Sequence, residues 1–216
     1  MLDESSPIPI TVEKYLEMHY FLHGMLHLYH FPADFVFTFS AFVQALHNTR
    51  AILFKEVGNS ERDKIWKAGT KEKLNNDVLL RKFWDARNLV VHQGVLRKSS
   101  KAFIGLYRRG KAKLAMEFEI SPFSDNQVLF ERAPSLIKEL TGESIESHHE
   151  NGCELGINRE WIFPEIGDEE IVGLSSKAFI RFSELLIDLH ENLYDQKFPD
   201  MRFKPDMEKI RLKTEF

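Results

Sequence analysis

The sequence predicts a mainly α protein: an up-and-down helical bundle with a small β insertion. Three observations lead there. Apolar residues recur at spacings of three and four over several long stretches. One segment after the middle of the chain switches to strict alternation. The 216 residues are 43% hydrophobic and include 18 Phe, enough for a sizeable core.

The Pro7-Ile8-Pro9 punctuation makes the first residues an irregular lead-in. Thr11 is the expected N-cap of a helix reaching His30, although Lys14 stands where a capping box wants an acid. Pro32 opens a second helix, from Ala33 to Val57, which is apolar nearly all round and so suits the buried centre of a bundle. Gly58-Asn59-Ser60 ends it. Glu61 to Ala68 forms a short helix closed by Gly69. A capping-box-like Thr70-Lys71-Glu72-Lys73 then starts a long helix to Val91 or beyond, with Gly94 as terminator.

Next comes the alternation. Ala102–Tyr107 and Lys111–Ile120 flank Arg108-Arg109-Gly110 and read as a hairpin. Val128–Glu131 and Glu154–Phe163 are further candidate strands, with a helix from Ala133 to His148 between them. Ser175 or Ser176 begins the last helix, and the aromatic and basic tail from Phe198 docks on the body. The expected organisation is one domain over 11–197 with an insertion at about 100–165, a lead-in at 1–10 and a tail at 198–216.

Composition narrows the function. The one Cys, Cys153, cannot make an intrachain disulfide or a cysteine-based zinc site. No signal-peptide pattern opens the chain, so a cytoplasmic location is expected. The longest uncharged run in the Phe-rich helix, Phe35 to Thr49, falls short of the roughly 20 residues of a membrane span. The net charge of -4 hides an asymmetry. Val95 to Met116 carries no acid but holds Arg97, Lys98, Lys101, Arg108, Arg109, Lys111 and Lys113. Glu117 to Asp200 has 19 acids against 6 Lys or Arg. A confined anion-binding surface is expected, rather than general nucleic-acid affinity; a solvated basic hairpin is the plainer alternative.

The densest chemistry lies in Arg87-Asn88-Leu89-Val90-Val91-His92. Asp85, Asn88 and His92 share one helix face, so Asn88 can set the imidazole tautomer. Arg87 and His92 stand about 140° apart and converge only through side-chain reach, helix distortion or a second subunit. Arginine to hold phosphate charge and histidine to move a proton can together cleave a ribose phosphodiester without metal. The 2′-OH would then attack its own phosphate and leave a cyclic phosphate. The structural alternative is Arg87 paired with Asp85 or with acids on the Glu72 side, and His92 capping the helix end.

Arg87, Asn88 and His92 near the end of a long helix resemble the R-(four to six residues)-H motif of the HEPN superfamily. Phe39-Ser40-Ala41-Phe42-Val43-Gln44-Ala45-Leu46 is similar to the second helix of bacterial members. The resemblance covers Val12 to Arg97. It implies a HEPN-like bundle and a homodimer across the motif helix; the β-hairpin or small sheet expected after that helix lies outside the resemblance. It further implies a metal-independent endoribonuclease with no cofactor, often in toxin–antitoxin or phage-defence systems with a cognate antitoxin protein. Catalysis would fall to Arg87, Asn88 and His92, and RNA binding to Lys98, Lys101, Arg108 and Arg109. A non-catalytic module binding RNA, a nucleotide or a protein is the alternative.

His19, His23, His27 and His30 fall within roughly an 80° arc of the first helix. That spacing suits metal ligation, so a metal-binding helical protein is a second alternative, although no Glu completes a His-Glu-x-x-His motif. His148-His149 is a weaker candidate. His47 and Arg50 are polar in an apolar helix, at the core edge or facing the same cleft as His92. Ser40 lacks a nucleophile elbow. Gly142, Gly152 and Gly156 form no phosphate loop. Phe103 and Tyr107 either stack on bases or lie in the core.

Overall fold

The computed structural model describes residues 6–93, 96–142, 144 and 152–214, excluding the side chains of His92, Gln93, Glu119 and Leu140. The chain is mainly α with one four-stranded antiparallel sheet. Among the described residues, no helix is long and apolar enough to cross a membrane.

Helix α1 (Pro9–His27) begins two residues before the expected Thr11. Proline suits the first helical position, where its missing N–H costs nothing. Ile8, the N-cap, makes no side-chain cap bond. Instead Glu56, from the far end of α2, accepts from Ile10 N (2.9 Å) and from Thr11 N (2.7 Å). Helix α2 spans Pro32–Glu56 and buries Phe35, Phe39, Phe42, Leu46, Thr49 and Leu53, a stripe at spacings of four and three. Phe37 is 69% exposed, so α2 is a one-faced wall of the bundle rather than its enclosed centre.

The next boundary corrects the sequence reading. Helix α3 (Glu61–Asn76) runs straight through Gly69 and Thr70, and α4 (Val78–Gln93) begins after Asp77. Ser60 and Asp63 form the real capping box of α3. Asp77 Oδ1 accepts from Leu80 N at 3.0 Å, starting α4. Thr70 is buried and caps nothing.

Strands β1 (Ser99–Arg108) and β2 (Lys111–Ile120) form the expected hairpin. Its two loop residues, Arg109 and Gly110, have φ of 52° and 75°, as a type I′ turn requires. The register slips between Leu106 and Tyr107, leaving Lys113 as an extra residue on β2. Gly105 is obligatory, because a Cβ there would sit 1.9 Å from Leu114 O. Helix α5 (Asn126–Thr141) absorbs Val128–Glu131, which is therefore not a strand, and runs through Pro134. Strand β3 is Glu154–Ile162. Helix α6 (Ile171–Leu193) starts four residues before Ser175, because Glu170 caps it through Gly173 N at 2.9 Å. A short α7 (Met207–Arg211) and β4 (Leu212–Lys213) complete the tail. The sheet order is β2-β1-β3-β4.

Two cores result. The larger lies among α1, α2, α4 and α6 and takes in Trp161 and Phe163. The smaller lies between the sheet and α5, around Ala102, Ile104, Leu106, Ala133, Ile137 and Ile157. Period-two geometry puts Leu155, Ile157, Arg159 and Trp161 of β3 on one face, so Arg159 falls where one core gives way to the other. It is fully buried. Its guanidinium donates to Ser100 Oγ (2.8 Å), Asn126 Oδ1 (2.8 Å), Ser124 O (3.0 Å) and Pro122 O (3.0 Å). Burial pulls its pKa down to about 10, so it stays charged at neutrality. Asn126 Nδ2 also donates to His30 Nδ1 (2.9 Å), and His30 Nε2 then donates to Ile210 O (2.8 Å). His30 thus leaves the first-helix stripe and joins a buried lock between sheet, α5 and tail.

Candidate anion-binding cleft between α2, α3 and α4

His47, Arg50, Ala51 and Phe54 stand at i, i+3, i+4 and i+7 on α2 and share one face. Lys67, Ala68 and Lys71 face them from α3, and the two sets enclose a cleft of about 460 Å³. No described carboxylate is among the residues lining it. Its walls carry two lysines, an arginine and a histidine against apolar Ala51, Ala68 and Phe54.

Each cation is held differently. The Arg50 guanidinium lies 3.9 Å over the Trp84 ring of α4 and reaches Asn75 Oδ1 at 3.5 Å. Burial lowers its pKa. Lys67 Nζ donates to Asn59 Oδ1 at 3.3 Å. Burial lowers the His47 pKa, and the nearby positive charge of Arg87 adds to the effect. His47 is therefore a neutral imidazole at pH 7. His47 Nδ1 and Trp84 Nε1 are both buried without a hydrogen-bond partner among the described residues. Orphaned polar atoms of this kind mark a place where a ligand or solvent completes the bonding.

Arg87 is half-buried on α4 and donates to Asn88 Oδ1 at 3.3 Å. Among the described residues it has no ion pair, so the expected alternative partners, Asp85 and the Glu72 side, do not hold it. Asn88 is exposed. Helix α4 runs through Gln93. The His92 side chain lies outside the described residues, as do His148 and His149.

The hairpin cations divide. Lys101 is paired with Glu117 at 2.7 Å, and Lys98 lies 4.2 Å over the Phe123 ring. Arg108 and Arg109 join Lys111 and Lys113 around a hollow of about 330 Å³ at the hairpin tip. Tyr107 is a core residue, 3% exposed, donating to Phe103 O at 3.0 Å. Sequence reasoning missed Lys67 and Lys71. Their spacing of four was the available signal, but only the packing of α3 on α4 and α6, beside α2, turns it toward His47.

The match that decides the family spans nearly the whole chain: residues 2–211 fit the family model described as bacteriophage lambda protein ea47. The chain belongs to that family. The HEPN resemblance carried by Arg87, Asn88 and His92 is thereby corrected. An Arg and a His at that spacing recur readily in one helix, whereas the ea47 family match covers bundle, sheet and tail together. No curated protein and no solved structure matches the chain.

Proposed function

We propose that this ea47-family protein binds single-stranded RNA through its phosphates in the cleft between α2 and α3, continued by Arg87 on α4. The observation that carries this is a cleft lined by His47, Arg50, Lys67 and Lys71 with no carboxylate among the lining residues. A phosphodiester there meets charged donors, and Phe54 offers a base an apolar face. Arg108 and Arg109 hold more of the backbone at the hairpin tip. The test is fluorescence anisotropy with a labelled RNA oligonucleotide. Arg50→Ala and Lys71→Ala should each weaken binding about tenfold, since hydrogen bonds to charged groups contribute about 1.5–3 kcal/mol. Binding should also fall steeply with salt. Affinity unchanged by both substitutions would end the proposal; equal affinity for the DNA counterpart would remove its RNA component.

A second reading adds metal-independent cleavage by Arg87, Asn88 and His92. It is favoured by an Arg87 that no described carboxylate neutralises, standing close to the neutral His47. The His92 imidazole takes the 2′-OH proton as that oxygen attacks phosphorus, the P–O5′ bond breaks, and the leaving oxygen takes its proton from water. Arg87 stabilises the charge on the phosphoryl oxygens. A homodimer across α4 would bring a second copy of the motif alongside the first, and the exposed Val91 gives the motif end of that helix an apolar contact. Cyclic-phosphate ends formed in EDTA, and lost in His92→Ala, are expected. Cleavage that survives His92→Ala would remove His92 from the chemistry.

A further inference from the structure

We propose that His19 and His23 form a two-histidine chelate for a borderline divalent cation of the zinc class. The two residues stand one turn apart on α1, and their Nε2 atoms are 3.1 Å from each other. Two zinc–nitrogen bonds of about 2.0–2.1 Å meeting at about 100° span that distance. Without metal one ring must lend a proton to the other. A cation between them replaces that proton and uses both lone pairs.

The surroundings hold the rings for this task. Phe203, from the tail, stacks on His23 with centroids 4.5 Å apart and planes at 17°. Phe179 of α6 lies 5.3 Å from the His19 ring. Both histidines remain half-exposed, so an ion has access from solvent. Imidazole nitrogens select zinc, nickel or copper over magnesium or calcium, which take oxygen ligands.

The four-histidine stripe therefore reduces to a pair. His30 is committed to Asn126 and Ile210. His27 is exposed one turn further on. Among the described residues no group of three or more His, Cys, Asp or Glu surrounds one ion. Water would fill the remaining positions. The site binds metal beneath the tail residue Phe203 and is separate from the RNA cleft.

The experiment is calorimetric titration of the untagged full chain with zinc chloride, and with magnesium chloride as control. One equivalent of zinc should bind, and magnesium should not. His19→Gln or His23→Gln should weaken binding at least tenfold, while His27→Gln and the pair His148→Gln/His149→Gln leave it within twofold. Ring ¹⁵N spectra of the unsubstituted protein give an independent readout: zinc should move the Nε2 signals of His19 and His23 first. No zinc binding, binding that survives loss of both His19 and His23, or first movement of other histidines would each overturn the proposal.

Discussion

The molecule stacks an arginine on a tryptophan twice, and the two pairs do opposite things. Arg159 lies 4.2 Å over Trp161, fully buried, with four bonds to oxygen acceptors. Arg50 lies 3.9 Å over Trp84, half-buried, with one long bond to Asn75. The stack is the same, but the number of bonds left unmade differs. A guanidinium whose donors are already used is a joint of the fold. One whose donors face a cleft is available to an anion. Burial of an arginine is thus a poor guide to its role until its donors have been counted.

The largest expected effect breaks the first pair. Arg159→Met leaves several buried acceptors unpaired, and at about 1–3 kcal/mol for each such group it should lower stability by about 3–5 kcal/mol in urea denaturation. Arg50→Met should lower stability by only about 0.5–1 kcal/mol, the worth of an accessible cation–π contact. Equal losses would show that both arginines are structural. The order should reverse for RNA affinity, where Arg50→Ala costs about tenfold. An intermediate effect concerns pH at the joint. Burial raises Glu170 from 4.5 to about 7, so its contribution to stability is full below pH 4.5 and lost as pH rises toward 7. Burial lowers His30 from 6.5 to about 4, so its contribution is full above pH 6.5 and lost as pH falls toward 4. The two slopes oppose each other across pH 4.5–6.5. Glu170→Gln should expose a stability that rises with pH there, and His30→Gln one that falls, as measured by thermal midpoints in a pH series. The smallest effect lies at the exposed hairpin tip. Arg108→Ala and Arg109→Ala should each weaken RNA binding less than Arg50→Ala, and each should reduce the salt slope by about one for every phosphate no longer held.

The helical half was legible because its stripes are long. Tyr15, Met18, Leu22 and Met25 on α1, and Phe179, Phe182, Leu186 and Leu189 on α6, keep spacings of three and four that no strand can satisfy. The hairpin was legible from alternation and Arg109-Gly110. Boundaries failed where two local signals competed. Thr70-Lys71-Glu72-Lys73 imitates a cap, but Asp77 has the carboxylate that reaches Leu80 N. Val128-Leu129-Phe130 reads as a strand, yet Asp125 accepts from Gln127 N at 2.8 Å and starts a helix first. Within the site, Arg87, Asn88, His47 and Arg50 were visible as polar residues in apolar helices. The cleft was not, because Lys67 and Lys71 look like any solvated pair until α3 is held beside α2 by its packing on α4 and α6. Arg159 looked like one more charge in an acidic half, since nothing local announces that Ser100, Pro122, Ser124, Asn126 and Trp161 will surround its guanidinium.

Glu56 has a consequence for how the chain assembles. The first turn of α1 has no cap of its own and borrows a carboxylate 45 residues further on. Its amides therefore gain protection only after the opposite end of the α1–α2 hairpin has arrived. Helix α1 would be completed from its middle outward, with its beginning the last turn to close and the first to fray.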